Sequence, residues 1–120
     1  MTDRNPIELI TPARLKCALA HHIGAGNGIS ARDLVKQVTG DPEPNPAGER
    51  RLRDLIVEMR ISGQHICATP TNGYFMAETT EELEKTCAYL KSRAMTGLMQ
   101  VSAMTRISLP DLVGQQKLPT

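Results

Sequence analysis

The stretch ERRLRDLIVEMRISGQHICATPTNGYFMA, residues 49–77, decides how the rest of the chain is read. In it Leu52, Leu55, Ile56 and Met59 recur three and four apart, so they share one helical face and can be buried together. Gly63 then supplies the left-handed residue that closes a helix. Beyond it, residues 66–68 and 74–77 are short β-prone runs flanking TPTNG, a turn cluster in which Asn72 and Gly73 tolerate positive φ. The stretch predicts an amphipathic helix, a glycine stop and a β-hairpin, with Tyr74 as a half-buried support beside the turn.

Upstream, residues 1–10 read as an N-terminal arm, and Thr11-Pro12 opens a first helix as N-cap followed by proline. Leu15, Ala18, Leu19 and Ile23 supply its buried stripe. Gly24, Gly26 and Gly28 follow as a link. Although IGAGNG resembles a phosphate loop in composition, such loops follow a strand, whereas this one follows a helix. Ile29 is long enough to pair as a one-residue strand with the hairpin. Ser30 caps a second helix buried through Leu34, Val35 and Val38 and stopped by Gly40. The loop DPEPNPAG then forbids helix until Asn45-Pro46 can start the third.

Downstream, Thr79 and Glu82 form a capping box for a long helix over residues 79–106, with the acidic first turn favoured by the helix dipole. Along it Leu83, Cys87, Leu90, Ala94, Gly97, Val101 and Met104 alternate four and three apart, a heptad seam that predicts a homodimer. The same seam suits packing back onto its own domain. Small residues at Ala94 and Gly97 allow close approach by an antiparallel or crossing partner. Residues 107–120, interrupted by proline, read as an irregular tail.

A chain of 120 residues is one domain by length. With no Trp, one Phe and two Tyr, its core must come from aliphatic residues, Met and Ala, which favours helices. The formal net charge of +1 excludes a whole-molecule field toward nucleic acid or an anionic membrane, so any basic surface is local. Three cysteines without a CxxC pair suit reduced thiols in a cytoplasmic protein. No export signal or membrane-spanning run is expected.

Taken in order, these elements resemble the winged helix-turn-helix family, especially the biotin-repressor type of DNA-binding domain. The residues that carry the resemblance are Gly28-Ile29-Ser30, Leu52 and Ile56, Met59-Arg60, Gly63, Ile66 and Gly73-Tyr74. The size and arrangement also resemble small winged-helix proteins of phages and prophages. The resemblance implies a mostly α fold with a small β-hairpin (α+β), the three-helix winged domain over residues 11–78 being followed by the long helix. It also implies binding of double-stranded DNA by a small transcriptional or replication-control factor. Two departures stand out: the DPEPNPAG loop is longer than the family's turn, and TPTNG carries no cation for a phosphate backbone.

On the third helix Arg50, Asp54, Val57 and Ile61 point away from the core face, with Arg51 and Arg53 beside them. Arg50, Arg51, Arg53 and the turn residue Asn72 are the candidate DNA-contacting residues, since arginine donates to phosphates and bidentately to guanine. The competing reading makes the arginines a solvated ion-pair lattice with Glu49, Asp54 and Glu58. Val57 and Ile61 fit a protein-covered face, and hence an interaction adaptor that binds no DNA. Cys17, His21, His65 and Cys67 can be drawn as a zinc quartet, but without zinc-finger spacing, and buried thiols more commonly pack as small apolar groups. Neither a metal nor a cofactor is expected. Cysteine and histidine occur without a catalytic motif, so no enzyme is expected. Gln115 and Leu118 in QQKLP match part of a clamp-binding peptide whose pocket-filling aromatic is missing here.

Overall fold

The computed structural model describes residues 5–105, and contacts divide the chain into two compact units, Met1–Thr86 and Cys87–Thr120. Helices α1 (Pro12–Leu19), α2 (Ala31–Thr39) and α3 (Pro46–Ile61) and strands β1 (Ile66–Thr69) and β2 (Gly73–Met76) belong to the first unit. A fourth helix, α4 (Thr80–Thr105), begins there and runs into the second. The described residues are thus mostly helical with one two-stranded antiparallel hairpin, the α+β arrangement expected. The division between the two units falls after Thr86, and the first turns of α4 bond to the hairpin through Cys67 with the Glu82 carbonyl and Ala68 with Thr86.

Helix starts follow from side chains that accept otherwise orphaned N–H groups. Thr11, Ser30 and Asn45 accept from the amides of Arg14, Asp33 and Gly48. Leu15 and Leu19 from α1, Leu34 from α2 and Leu52, Leu55 and Ile56 from α3 are at most 2% exposed and form one cluster. Two expectations change here. Residues 6–9 are not an arm but a short 3₁₀ turn capped by Asn5, and they deliver Ile10 into the cluster at 1% exposure. Ile23 does not extend the buried stripe. Since α1 stops at Leu19, Ile23 stands beyond it, 47% exposed, and takes part through its backbone in a bridge to Met76.

The hairpin pairs Ile66 with Met76 through to Thr69 with Gly73, and alternation sends successive side chains to opposite faces. Ile66, Tyr74 and Met76 pack with the helical cluster, whereas the cross-strand pair Cys67 and Phe75 is buried on the other face. The outer edge of β2 is occupied by the segment between α1 and α2. Ile29 and Tyr74 exchange both backbone hydrogen bonds, at 2.9 and 2.7 Å, and the Met76 amide donates to the His22 carbonyl at 2.7 Å. At β1 the Ala68 amide donates to Oγ1 of Thr86, which is buried at 5% exposure.

Thr79 Oγ1 caps α4 by accepting from the Glu82 amide, and the Glu82 carboxylate in turn draws on the Thr79 backbone, as the capping box requires. The same carboxylate also accepts from the amides of Glu78 and Ala25, each at 2.8 Å. One carboxylate therefore ties the start of α4 to the loop before α2.

Gly73 has φ of 79°, and a Cβ there would strike the Ile29 carbonyl oxygen, whereas Gly40, with φ of 76°, faces open space. Gly40→Ala should cost about 1 kcal/mol of strain alone. Gly73→Ala should cost clearly more, because it also breaks the Ile29–Tyr74 pairing; chemical denaturation of the two variants compares them directly.

A second expectation concerns acid. The amides of Ala25 and Glu78 hold the Glu82 carboxyl below the usual glutamate value of 4.5. A depressed folded-state pKa contributes stability that is present above about pH 4.5 and lost as pH falls through the lower folded value. Glu82→Gln, which removes the titrating group, should flatten the fall of unfolding free energy below pH 4.5, read from denaturation curves at stepped pH.

Candidate functional site

The solvent face of α3 presents Arg50, Asp54, Val57 and Ile61 at helical spacing, with Val57 52% and Ile61 82% exposed. The flanking arginines are engaged by carboxylates. Arg53 Nη1 lies 4.0 Å from Glu49 one turn earlier, and Arg51 Nη1 lies 3.6 Å from Glu58 two turns later. The Arg51–Glu58 pair is exposed and the Arg53–Glu49 pair only half-buried on its glutamate side, so each contributes at most about 1 kcal/mol and leaves the guanidinium available to a stronger anion. Among the described residues Arg50 and Asp54 form no ion pair. Of the expected lattice, two separate pairs form, Arg53 with Glu49 and Arg51 with Glu58, while Arg50 and Asp54 stand outside them.

Asn72 sits exposed in the hairpin turn, its amide donating to Thr69 Oγ1 at 2.9 Å and its carbonyl packed against Gly28. No hydrogen bond joins it to Arg50, Arg51 or Arg53, and residues 69–73 carry no charge. Two carboxylates precede α3. Asp41 Oδ1 accepts from the Glu43 amide at 3.0 Å, while the Asp41 amide donates to Thr39 Oγ1 at 3.2 Å. That chain of local bonds orders the start of the proline-rich loop.

Arg60 differs from the other three arginines of α3. Its Nε donates to the Ile66 carbonyl at 2.8 Å, pinning the last turn of α3 to β1. Its sequence context did not distinguish it, since only the fold brings Ile66 into reach. His22 was missed in the same way: its ring bridges the Asn27 carbonyl at 2.9 Å and Gln37 Oε1 at 2.8 Å, tying the glycine-rich link to α2.

The zinc quartet is divided. Cys17 and His21 are exposed and line, with Arg14 and Gln37, an open depression of about 340 Å³ between α1 and α2. His65 is exposed, and the buried Cys67 thiol donates to the Glu82 carbonyl at 3.6 Å. Among the described residues no group of three or more His, Cys, Asp or Glu could hold a metal ion. Arg14 Nη1 is directed to the Val38 carbonyl, 3.4 Å away, and supports the end of α2.

Of the seam on α4, Leu83 is half-buried in the first unit, whereas Cys87, Leu90, Ala94, Gly97, Val101 and Met104 are exposed. Tyr89, Met95 and Met99 are exposed as well and lie off the seam. Among the described residues no helix is long and apolar enough to cross a membrane. Arg106, the tail over 107–120, Gln115 and Leu118, and residues 1–4 of the expected arm lie outside the described residues. Compared with family models, curated proteins and solved structures, the chain has no match in any of the three.

Substitution should separate the arginines by role. Arg60→Ala removes a part-buried hydrogen bond and should lower stability by about 1 kcal/mol, whereas Arg50→Ala should stay within about 0.5 kcal/mol, both read by denaturant titration.

Proposed function

We propose that the first unit is a winged helix-turn-helix domain that binds double-stranded DNA, with α3 as recognition helix and the hairpin as wing. The proposed role is that of a small transcriptional or replication-control factor. The supporting observation is the reciprocal Ile29–Tyr74 pairing, which ties the segment entering α2 to the hairpin leaving α3 while the arginine-bearing side of α3 stays exposed. In this reading Arg51 and Arg53 exchange their carboxylate partners for phosphates, and Arg50 is available for a phosphate or a guanine edge. Asp54 repels phosphate, so its place on the same face requires the middle of α3 to meet base edges, where cytosine and adenine offer amino donors. Asn72 brings a hydrogen-bonding amide to the uncharged wing.

A second reading, the protein-binding adaptor, is favoured by the exposure of Val57 and Ile61. Titration of random duplex DNA at stepped salt separates the two. Phosphate contacts make the logarithm of affinity fall with the logarithm of salt, at about 0.9 per contact. Each of Arg50→Ala, Arg51→Ala and Arg53→Ala that removes a phosphate contact should reduce the slope by about one. Unchanged affinity in the triple variant would reject the DNA reading and leave the adaptor.

A further inference from the structure

We infer that the exposed half of α4 pairs with the same half of a second copy, antiparallel, about a centre where Ala94 of each chain meets Gly97 of the other. This inference goes beyond the proposed function and does not depend on it. From Cys87 onward the seam has no cover from the described part of the chain: Leu90 is 41%, Val101 37% and Met104 76% exposed, and nothing lies within 4 Å of where a Gly97 Cβ would stand. In a heptad pair such positions fill one another's gaps, and small residues at the centre let the two backbones approach closely.

Charge selects the orientation. All the acidic residues of α4, namely Glu81, Glu82 and Glu84, stand at its N-terminal end, with Glu78 just before. A parallel pair would crowd two such clusters together and align two helix dipoles; an antiparallel pair avoids both conflicts. Charge also selects the register. Full overlap of two antiparallel α4 helices would bring Lys91 of each copy against Arg93 of the other. Sliding by one heptad toward the C-termini removes that conflict and places Cys87 opposite Met104, Leu90 opposite Val101 and Ala94 opposite Gly97, each twice by symmetry. Lys91 then lies toward the carboxyl-terminal turns of the second copy, the negative end of its dipole. Arg93 is already drawn off the seam, its guanidinium 5.8 Å from the centre of the Tyr89 ring. The acidic turns, together with half-buried Leu83 and buried Thr86, stay outside the contact.

The test uses the full chain with Cys17→Ser, which removes the exposed thiol on α1 and leaves Cys87 as the exposed cysteine. Sedimentation should show a dimer at tens of micromolar, and Leu90→Lys with Val101→Lys should shift it to monomer with helix content kept. Addition of Met104→Cys and oxidised glutathione, which is reduced to two glutathione thiols as each protein disulfide forms, should cross-link the pair. Peptide mapping should find residue 87 joined to residue 104 of the other copy. With Met104 in place no cross-link should form, because antiparallel pairing holds the two Cys87 residues on the order of 25 Å apart, beyond disulfide reach. A Cys87 to Cys87 cross-link would establish a parallel pair and overturn the inference. So would a monomeric wild type, or a monomer whose α4 binds anionic phospholipid vesicles.

Discussion

The constraint on which the first unit depends is the backbone exchange between Ile29 and Tyr74. It requires two extended segments to meet without intervening side chains, and the chain meets that demand with Gly28 and Gly73, one on each side of the crossing. A Cβ on either would run into the opposite backbone, Asn72 in one case and Ile29 in the other. Because the first segment leads into α2 and the second follows α3, this single junction closes the path α2, α3, hairpin into a ring. Its closure places Tyr74 and Met76 against the helical cluster and orients the turn that carries Asn72.

Around that ring the polar tethers divide into two kinds. Arg60, Thr86 and Glu82 each satisfy backbone groups on another segment, so losing one leaves an orphaned donor or acceptor. Arg51 and Arg53 are held by glutamates at the surface, Glu58 exposed and Glu49 half-buried, interactions that water and salt compete away. The distinction separates arginine that maintains the fold from arginine that an incoming anion can recruit. It also explains how a face with nearly balanced charge can serve the DNA-binding role proposed for it: the pairing is weak enough to be exchanged.

Much of the frame was legible because its signals are local. Thr11, Ser30 and Asn45 are caps that announce helices, the stripe through Leu52 and Met59 is a helical period, and Asn72-Gly73 states its own turn. What escaped depends on partners distant in sequence. Ile10 follows a 3₁₀ turn too short to show a period, so its burial gave no warning. Ile23 sat in phase with a helix that stops at Leu19, before any glycine marks the end. Glu82 matched a local capping pattern, yet one of its amide partners, Ala25, lies across the unit. At the candidate site, periodicity found the face of Arg50, Asp54, Val57 and Ile61, while the pairing of Arg51 with Glu58 and the separate duty of Arg60 required the folded chain.

The hydroxyl of Thr86 on the Ala68 amide has a further consequence. A two-stranded ribbon normally offers an outer row of unsatisfied backbone groups, the template by which a stray peptide or another molecule is recruited as an extra strand. Here the segment around Ile29 takes one side, and the first turns of α4 stand against the other. Sheet augmentation, whether as a recognition mode or as a route to fibrous aggregation, would first have to displace the start of α4 or the segment around Ile29, so the hairpin meets other molecules through its exposed turn and not through its edges.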